Sequence, residues 1–296
     1  MYARCVSICH IATIHLKAVL VKVTANHIKK MNKIIEKQHF SENVVKLVVE
    51  APQIARSRRP GHFVIVIGGD KGERIPLTIA DSNIAAGTIT LVVQAVGEST
   101  RQICALNEGD YLHDVVGPLG QATKIANYGT VVCAGGGVGV APLLPIIKAM
   151  KEAGNRVISV LAARTKELII LEEEVAKYSD ELIIMTDDGS YGQKGLVTAG
   201  VESVILREPV NMVVTIGPAI MMKFVAALTL KYDVPTMCSL NTIMVDGTGM
   251  CGACRVSVDG KTRFVCVDGP EFDAHKVDFD EMMMRMRAYN PVPAKK

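Results

Sequence analysis

The chain has no tryptophan, and aromatic residues fill only 4% of its 296 positions. Its net charge is +3, with no long basic run. Lacking both aromatic platforms and a basic stripe, it gives no ground for expecting a nucleic-acid partner. Charged residues are also scarce, at 21% against 49% hydrophobic, which argues against disorder and for well-filled cores. Long apolar runs are few. The one at residues 5–23 is broken by His10, His15 and Lys17, has no small-residue cleavage site after it and falls short of a spanning helix, so no membrane insertion is expected. Met31 makes a natural start to the folded part, and residues 1–32 are expected to be an N-terminal extension, an upstream continuation of the reading frame. Eight cysteines in a chain of this size, three of them gathered in one segment, suit a reducing cytoplasm better than a disulfide scaffold. The other five read as ordinary buried thiols.

That one segment is Asp246-Gly-Thr-Gly-Met-Cys251-Gly-Ala-Cys254, followed by Cys266. Plant-type [2Fe–2S] sites follow C-x4-C-x2-C with a more distant fourth Cys, and the pattern holds here with Asp246 in the first position. Gly247, Gly249 and Gly252 permit positive φ, which turns amide N–H groups inward toward a negatively charged centre. The run 255–258, a turn at Asp259-Gly260 and a return through 263–266 predict a hairpin that brings Cys266 back beside the other three. Two other chemistries use C-x2-C pairs. A zinc knuckle normally supplies four Cys or His ligands, and no His lies between Asp246 and Cys266. A thioredoxin-like dithiol would open a helix, whereas this pair leads into a strand. On spacing alone, Asp246 reads equally as an iron ligand and as the turn former of an Asp-Gly pair.

Upstream, residues 33–127 read as short β-branched strands (44–49, 62–67, 88–96) between turn clusters, the pattern of a small antiparallel barrel. The character changes at 130–134, a continuous apolar strand that runs into Gly135-Gly-Gly-Val-Gly-Val-Ala-Pro142 and then a helix over 143–152. A strand at 156–162, a helix at 168–178 and strands at 182–186 and 212–216 continue the alternation of a parallel sheet wrapped by helices. A glycine-rich turn between strand and helix lets backbone N–H groups approach a pyrophosphate. The pattern is G-x-G-x-x-P, not G-x-G-x-x-G, so the standard dinucleotide fingerprint is not matched. In the barrel, Arg74-Ile-Pro-Leu-Thr78 puts residues 74, 76 and 78 on one strand face, where Arg74 could meet a phosphate and Thr78 a ring nitrogen. Gly97-Glu-Ser-Thr100 offers small groups and N–H donors suited to the same pyrophosphate. The tail carries Met282-Met-Met-Arg-Met286 in a helical pattern expected to pack into the core.

A barrel with R-x-P-x-S/T, a nucleotide domain with G-x-G-x-x-P and a C-terminal [2Fe–2S] segment, in that order, resemble the ferredoxin-NADP reductase superfamily. With the cluster last, the chain is similar to the electron-transfer subunits of dihydroorotate dehydrogenase. It is more similar still to the small subunits of NADH-dependent ferredoxin:NADP oxidoreductases, the electron-bifurcating transhydrogenases, which use Asp where the former have Cys. The resemblance covers residue 33 to the C-terminus. It implies a ferredoxin-reductase-like fold: an FAD-binding antiparallel β-barrel (33–127), a parallel-sheet NAD(P)-binding α/β domain (128–236) and a small [2Fe–2S] domain with its tail (237–296).

The resemblance also implies an oxidoreductase subunit that exchanges hydride between NAD(H) and FAD and single electrons with the cluster. Arg74 would sit on the FAD pyrophosphate, and Thr78, the catalytic candidate, near the isoalloxazine N5 with Pro76 and Leu77 beside it. Gly97, Glu98, Ser99 and Thr100 would support the phosphates. The nicotinamide dinucleotide would lie on Gly135, Gly136, Gly137, Val138, Gly139 and Pro142, with Gly217 and Pro218 at the nicotinamide side. Ile216 stands where superfamily members often carry Cys. Asp246, Cys251, Cys254 and Cys266 would hold the cluster. Arg164 and Lys166 could contact the 2′-phosphate of NADP(H) or stand as solvated charges; the resemblance implies NAD(H) here and NADP at the partner. That partner would be a large flavoprotein subunit with [4Fe–4S] clusters, acting on ferredoxin through a cytoplasmic heterodimeric complex, with no nucleic acid and no membrane involved. The competing expectations are a dihydroorotate dehydrogenase electron-transfer subunit and, outside enzymes, a zinc-stabilised nucleotide-binding module.

Overall fold

A computed structural model of the chain describes residues 32–69 and 72–289. The extension expected at 1–32 lies outside the described residues except for Asn32, as do Cys5 and Cys9. The described chain opens with β1 (Ile34–Ser41), β2 (Val44–Glu50), a short helix α1 (Pro52–Ser57), β3 (Phe63–Ile67), β4 (Ile75–Asn83), β5 (Thr88–Gln94), α2 (Glu98–Ala105) and β6 (Asp114–Leu119). Its strands form an antiparallel sheet in the order β1-β2-β5-β4-β3-β6. The two edges meet where Ile34 donates to Asp110 and Leu112 to Asn32, beside the Lys33–Tyr111 bridge, and the sheet closes into the expected barrel.

Strand β3, Phe-Val-Ile-Val-Ile, is apolar at every position because it has two cores to fill. Val64 and Val66 point into the barrel beside Leu47 and Leu91, while Phe63 and Ile65 point out into a second core with Cys254 and Cys266. The period-2 alternation of a strand makes this split.

The second half contains β7 (Thr130–Gly136), α3 (Val140–Glu152), β8 (Arg156–Ala163), α4 (Glu172–Lys177), β9 (Glu181–Thr186), β10 (Gln193–Lys194), α5 (Val197–Arg207), β11 (Met212–Ile216), α6 (Ala219–Lys231) and β12 (Thr236–Ser239). Next come the hairpin β13 (Arg255–Val258) and β14 (Lys261–Phe264), α7 (Val265–Asp268), β15 (Glu271–Asp273) and α8 (Phe279–Met286). The large sheet runs β10-β9-β8-β7-β11-β12-β15, parallel until β15 pairs antiparallel with β12. Helices cover both faces. Val131 and Cys133 of β7 pack with α3, whereas Val132 and Ala134 pack with α5 and α6, so the strand is apolar throughout. The α3 core also takes in Val44, Ala80 and Val92, which fastens the barrel to the sheet.

Three local expectations are corrected. The helix expected at 168–178 is a 3₁₀ turn at Lys166–Leu168 and a separate α4, because Leu171 takes a left-handed φ of 57° and three glutamates at 172–174 favour a fresh N-terminus. Cys266 lies on α7, just past β14, not on the hairpin strand itself. The methionine tail is divided: Met282 is buried with Phe279, while Met284 is exposed. In addition, β12 runs across the boundary expected at 236/237, and β15 returns from the cluster segment to extend the same sheet. Cys133 and Cys238 are buried, as expected of ordinary core thiols, and burial pushes the Cys133 thiol up to about 12. Among the described residues, no helix is long and apolar enough to cross a membrane.

Glu271 on β15 is a carboxylate drawn into a seam between segments, where Thr123 of the post-barrel loop donates its hydroxyl to Oε1 at 2.5 Å. Burial dominates and pushes its carboxyl up to about 7. Between the ordinary value near 4.5 and 7 the folded state therefore holds a proton that the unfolded chain has released, and stability falls as pH rises through that window. Glu271→Gln, which keeps the acceptor and removes the charge, should leave the melting point unchanged near pH 4.5. At pH 8 it should stabilise by about 3 kcal/mol, read from melts across the pH range.

Candidate functional site

The strand order of the large sheet reverses between β7 and β11, with β8 to β10 on one side and β12 on the other. Ligands of open α/β sheets bind beyond the carboxyl ends at such a switch point. Here those ends carry Gly135 to Gly139 and Gly217-Pro218, held side by side by the parallel pairing of Gly135 with Ile216. A methyl on Gly139 would stand 2.5 Å from the Ile216 carbonyl oxygen and 2.8 Å from Gly217 Cα, so two backbones meet where no side chain fits. Met221 fills the cleft instead, its thioether resting where side chains on Gly136 and Gly217 would be.

Over this switch point opens a cavity of about 760 Å³. Pro76, Leu77 and Thr78 of β4 line its barrel wall, Gly136 to Gly139 and Pro142 its floor, and Ser239, Leu240 and Met244 of the cluster segment a third side. Gly217, Pro218 and Arg164 also line it. Gly135 lies one residue below the floor, its Cβ position against Leu143 and Val140.

The cavity fits a flavin and a dinucleotide. Ser41 Oγ, on its wall, is buried with no hydrogen-bond partner, a polar atom suited to a ligand and unforeseen in the sequence. Gly137 has φ +54°, and a methyl there would project into open space, which leaves a bare backbone cradle at the start of the 13-residue helix α3.

Other expected residues lie elsewhere. Gly97 caps α2, where Thr100 Oγ1 accepts from the Gly97 N–H at 2.9 Å, and the Ser99 hydroxyl donates to Glu73 at 3.3 Å. Ser99 and Thr100 are buried, and with Gly97 and Glu98 they stand outside the cavity lining. Arg74 is outside it too: its guanidinium donates from Nε to the Val245 carbonyl and from Nη2 to the Asp246 carbonyl, the latter at 3.3 Å. Lys166 turns away over the Tyr191 ring, 5.2 Å from its centroid. Asp187, which the sequence reading passed over, lines the cavity together with Arg164 at the ends of β9 and β8.

The four expected metal ligands converge as two pairs. Cys254 and Cys266 are both 2% exposed, with their sulfurs 3.2 Å apart. Cys251 Sγ approaches Asp246 Oδ1 at 3.4 Å on the exposed side of the loop. Glycines 247, 249 and 252 have φ of +76°, +86° and +67°, which produces the inward turn of the amides. N–H groups of Thr248, Met250 and Cys251 donate to the Asp246 carboxylate at 3.0–3.1 Å, and these donors, Thr248 first, hold it ionised with its pKa lowered to about 2. Asp246 is thus a turn former whose carboxylate also faces the thiols. Burial, then the neighbouring Cys254, pushes the Cys266 thiol up to about 12, so its proton leaves when a metal replaces it. Among the described residues, no three His, Cys, Asp or Glu side chains surround a single point. Two pairs suit two iron atoms better than one zinc.

Two family models match the sequence. The iron-sulfur cluster binding domain of dihydroorotate dehydrogenase B matches residues 241–278, and an oxidoreductase NAD-binding domain matches residues 133–227. The Thermotoga maritima protein named as a homolog of the dihydroorotate dehydrogenase B (NAD(+)) electron transfer subunit is 47% identical, over 88% of this chain and 92% of that protein. The dihydroorotate dehydrogenase B (NAD(+)) electron transfer subunit of Bacillus velezensis is 33% identical, over 80% and 94%. Among solved structures, a chain of the NADH-dependent reduced ferredoxin-NADP oxidoreductase, studied for flavin-based electron bifurcation, superposes with a TM-score of 0.85 and 45% identity. That match covers 88% of this chain and 94% of the other. The cytochrome b5 reductase domain of Ulva prolifera nitrate reductase, at TM-score 0.54 and 20% identity over 68% and 91%, shares the fold.

The glycine floor generates a graded prediction. Gly139→Ala forces backbone apart and should cost about 2–3 kcal/mol, whereas Gly217→Ala mainly displaces the flexible Met221 and should cost about 1 kcal/mol or less. Urea denaturation of the two variants measures the difference.

Proposed function

Because this chain belongs to the family of dihydroorotate dehydrogenase B electron-transfer subunits and their homologues, we propose that it is the small subunit of an NADH-dependent ferredoxin:NADP oxidoreductase. It is an electron-transfer oxidoreductase subunit that uses NAD(H), FAD and an iron–sulfur cluster. Bound together, these groups supply two-electron chemistry at the flavin and nicotinamide and one-electron chemistry at the [2Fe–2S] centre. In this reading the chain has three modules: 33–127 for FAD, 128–236 for NAD(H), and 237–296 for the cluster. The observation that carries the choice of partner is Asp246, a carboxylate in the first ligand position, facing Cys251 at 3.4 Å. The partner is then a large flavoprotein subunit with [4Fe–4S] clusters, which handles NADP(H) and meets ferredoxin in the reducing cytoplasm that the eight cysteines suit.

The work of the chain is binding and orientation. Pro76 and Leu77 give the isoalloxazine an apolar wall, and Thr78 presents a hydroxyl to a ring nitrogen. The bare backbone of Gly136 to Gly139, with the α3 N-terminus behind it, takes the dinucleotide phosphates. The ribose end is read by Asp187 and Arg164: a carboxylate accepts a hydrogen bond from a 2′-hydroxyl and repels a 2′-phosphate, which favours NAD(H).

Anaerobically purified complex should contain FAD, two iron atoms and two acid-labile sulfides per small subunit, a large subunit with [4Fe–4S] clusters, and a flavin bleached by NADH. A (β/α)8-barrel flavoprotein in place of that large subunit would indicate the dihydroorotate reading, and a colourless zinc protein would end both. Asp246→Cys should retain the cluster with a changed EPR spectrum and potential; identical spectra would argue against ligation by Asp246. Asp187→Ser should raise the kcat/KM for NADPH relative to NADH by about tenfold, worth about 1.4 kcal/mol of discrimination. Steady-state flavin reduction with each nucleotide measures that ratio.

A further inference from the structure

The cluster segment lines a second, smaller cavity of about 180 Å³ that shares no lining residue with the cofactor cavity. The stretch 239–244 divides between the two: Ser239, Leu240, Asn241 and Met244 line the first, Thr242 and Ile243 the second. The last turn of α8 contributes Met282, Arg285 and Met286 to the smaller cavity, and Arg255 lines it from the start of β13. Nothing from the barrel or the glycine floor reaches it.

Thr242 is the informative residue. It is 7% exposed, and its hydroxyl is buried with no hydrogen-bond partner. Such a group costs stability unless something in the cavity completes it. Two guanidiniums line the same space. Arg255 donates from Nη1 to the Gly252 carbonyl at 3.1 Å, and Arg285 has no hydrogen-bond or ion-pair partner among the described residues. No Asp or Glu lines the cavity to answer them. Planar guanidinium forks match a carboxylate in shape as well as charge, and a hydroxyl adds one more donor. The rest of the lining is apolar, chiefly Ile243, Met282 and Met286, and a bare inorganic oxyanion would set its oxygens against that surface. A carboxylate with a short alkyl body satisfies both sides. At roughly 30 Å³ for a water-sized group the cavity holds about six of them. Butyrate has that many non-hydrogen atoms, and sites for drug-sized ligands begin only at about 300 Å³.

We propose that this cavity is a binding site for a small aliphatic monocarboxylate, with its charge on Arg255, Arg285 and the Thr242 hydroxyl and its alkyl body against Met282 and Met286. The site lies outside the electron-transfer machinery and does not rest on the cofactor assignment. Ala253, between Cys251 and Cys254, also lines the cavity, so an occupant packs against the ligand loop and restrains residues 251–255.

The test titrates sodium butyrate into the complex as purified and into the full chain alone, at constant ionic strength, with n-butanol and sodium phosphate as controls. Saturation-transfer NMR should detect butyrate on the protein and neither control. Thr242→Val and Arg285→Gln should each weaken the butyrate Kd about tenfold. Without butyrate, Thr242→Val should melt no lower than wild type, because a methyl replaces an unpartnered hydroxyl, so its weaker binding is not unfolding. Hydrogen exchange at residues 251–255 should slow when butyrate saturates. Equal binding of n-butanol would overturn the role of the charge, and equal binding of phosphate the role of the alkyl body. An unchanged Kd in both variants would place butyrate elsewhere, and no binding at all would leave a water-filled cavity; either result overturns the proposal. Binding to the chain alone that disappears in the complex would give the seat to a partner's carboxylate side chain and overturn a free ligand.

Discussion

The constraint on which the rest of the structure depends is the sharing of one apolar core by three segments far apart in sequence. Phe63 and Ile65 from the barrel, Met222 and Ala226 from α6, and Leu240, Met244, Cys254 and Cys266 from the cluster segment all pack together. A segment of some sixty residues buries too little surface to stand firmly alone. By burying its ligand cysteines against a barrel strand and a helix of the nucleotide sheet, it borrows their rigidity. The β15 strand does the same in hydrogen bonds, adding itself to the edge of the parallel sheet. The cofactor cavity is accordingly bounded by all three segments.

Rigidity of this kind is what a chain that binds several redox groups must supply. Side chains here perform no bond chemistry of their own, so their contribution is distance, orientation and electrostatic surroundings. The glycines at the switch point serve the same end. Gly139 is not needed for an unusual φ but for the absence of a side chain where the β7 and β11 turns touch. Gly137 does take a positive φ and faces open space, so its role is toward the cavity. One short turn thus contains two glycines required for different physical reasons.

Much of this was legible in the chain itself. Period-2 runs and turn clusters gave the barrel, the βαβ alternation gave the parallel sheet, and the Asp259-Gly260 pair, both at positive φ, closes the expected hairpin. Local signals of that sort need only neighbours in sequence. The misses are of two kinds, one local and the others long-range. The glutamates at 172–174 read as part of one long helix because nothing local announces the left-handed Leu171. The returning β15 carries no mark that it will cross back to β12. Ser41 and Asp187 were invisible for the same reason, since each acquires meaning only from the cavity it faces.

The two ligand pairs are unequal in a way that bears on how electrons would enter and leave. Cys254 and Cys266 sit in the shared core, out of water, whereas Asp246 and Cys251 lie on the outer side, beside Met250, 89% exposed, and Val245, about half exposed. An iron held by the outer pair would be closer to solvent and would take an oxygen donor in place of a sulfur, and both differences would act on its charge distribution. Arg74 donates to the Asp246 carbonyl of that pair and to the neighbouring Val245 carbonyl. The carboxylate and the exposed apolar side chains stand with the outer pair and the two buried thiols with each other, so the two ends of the expected ligand set are chemically distinct. That asymmetry would give a bound two-iron centre one end buried in the shared core and one end open to solvent.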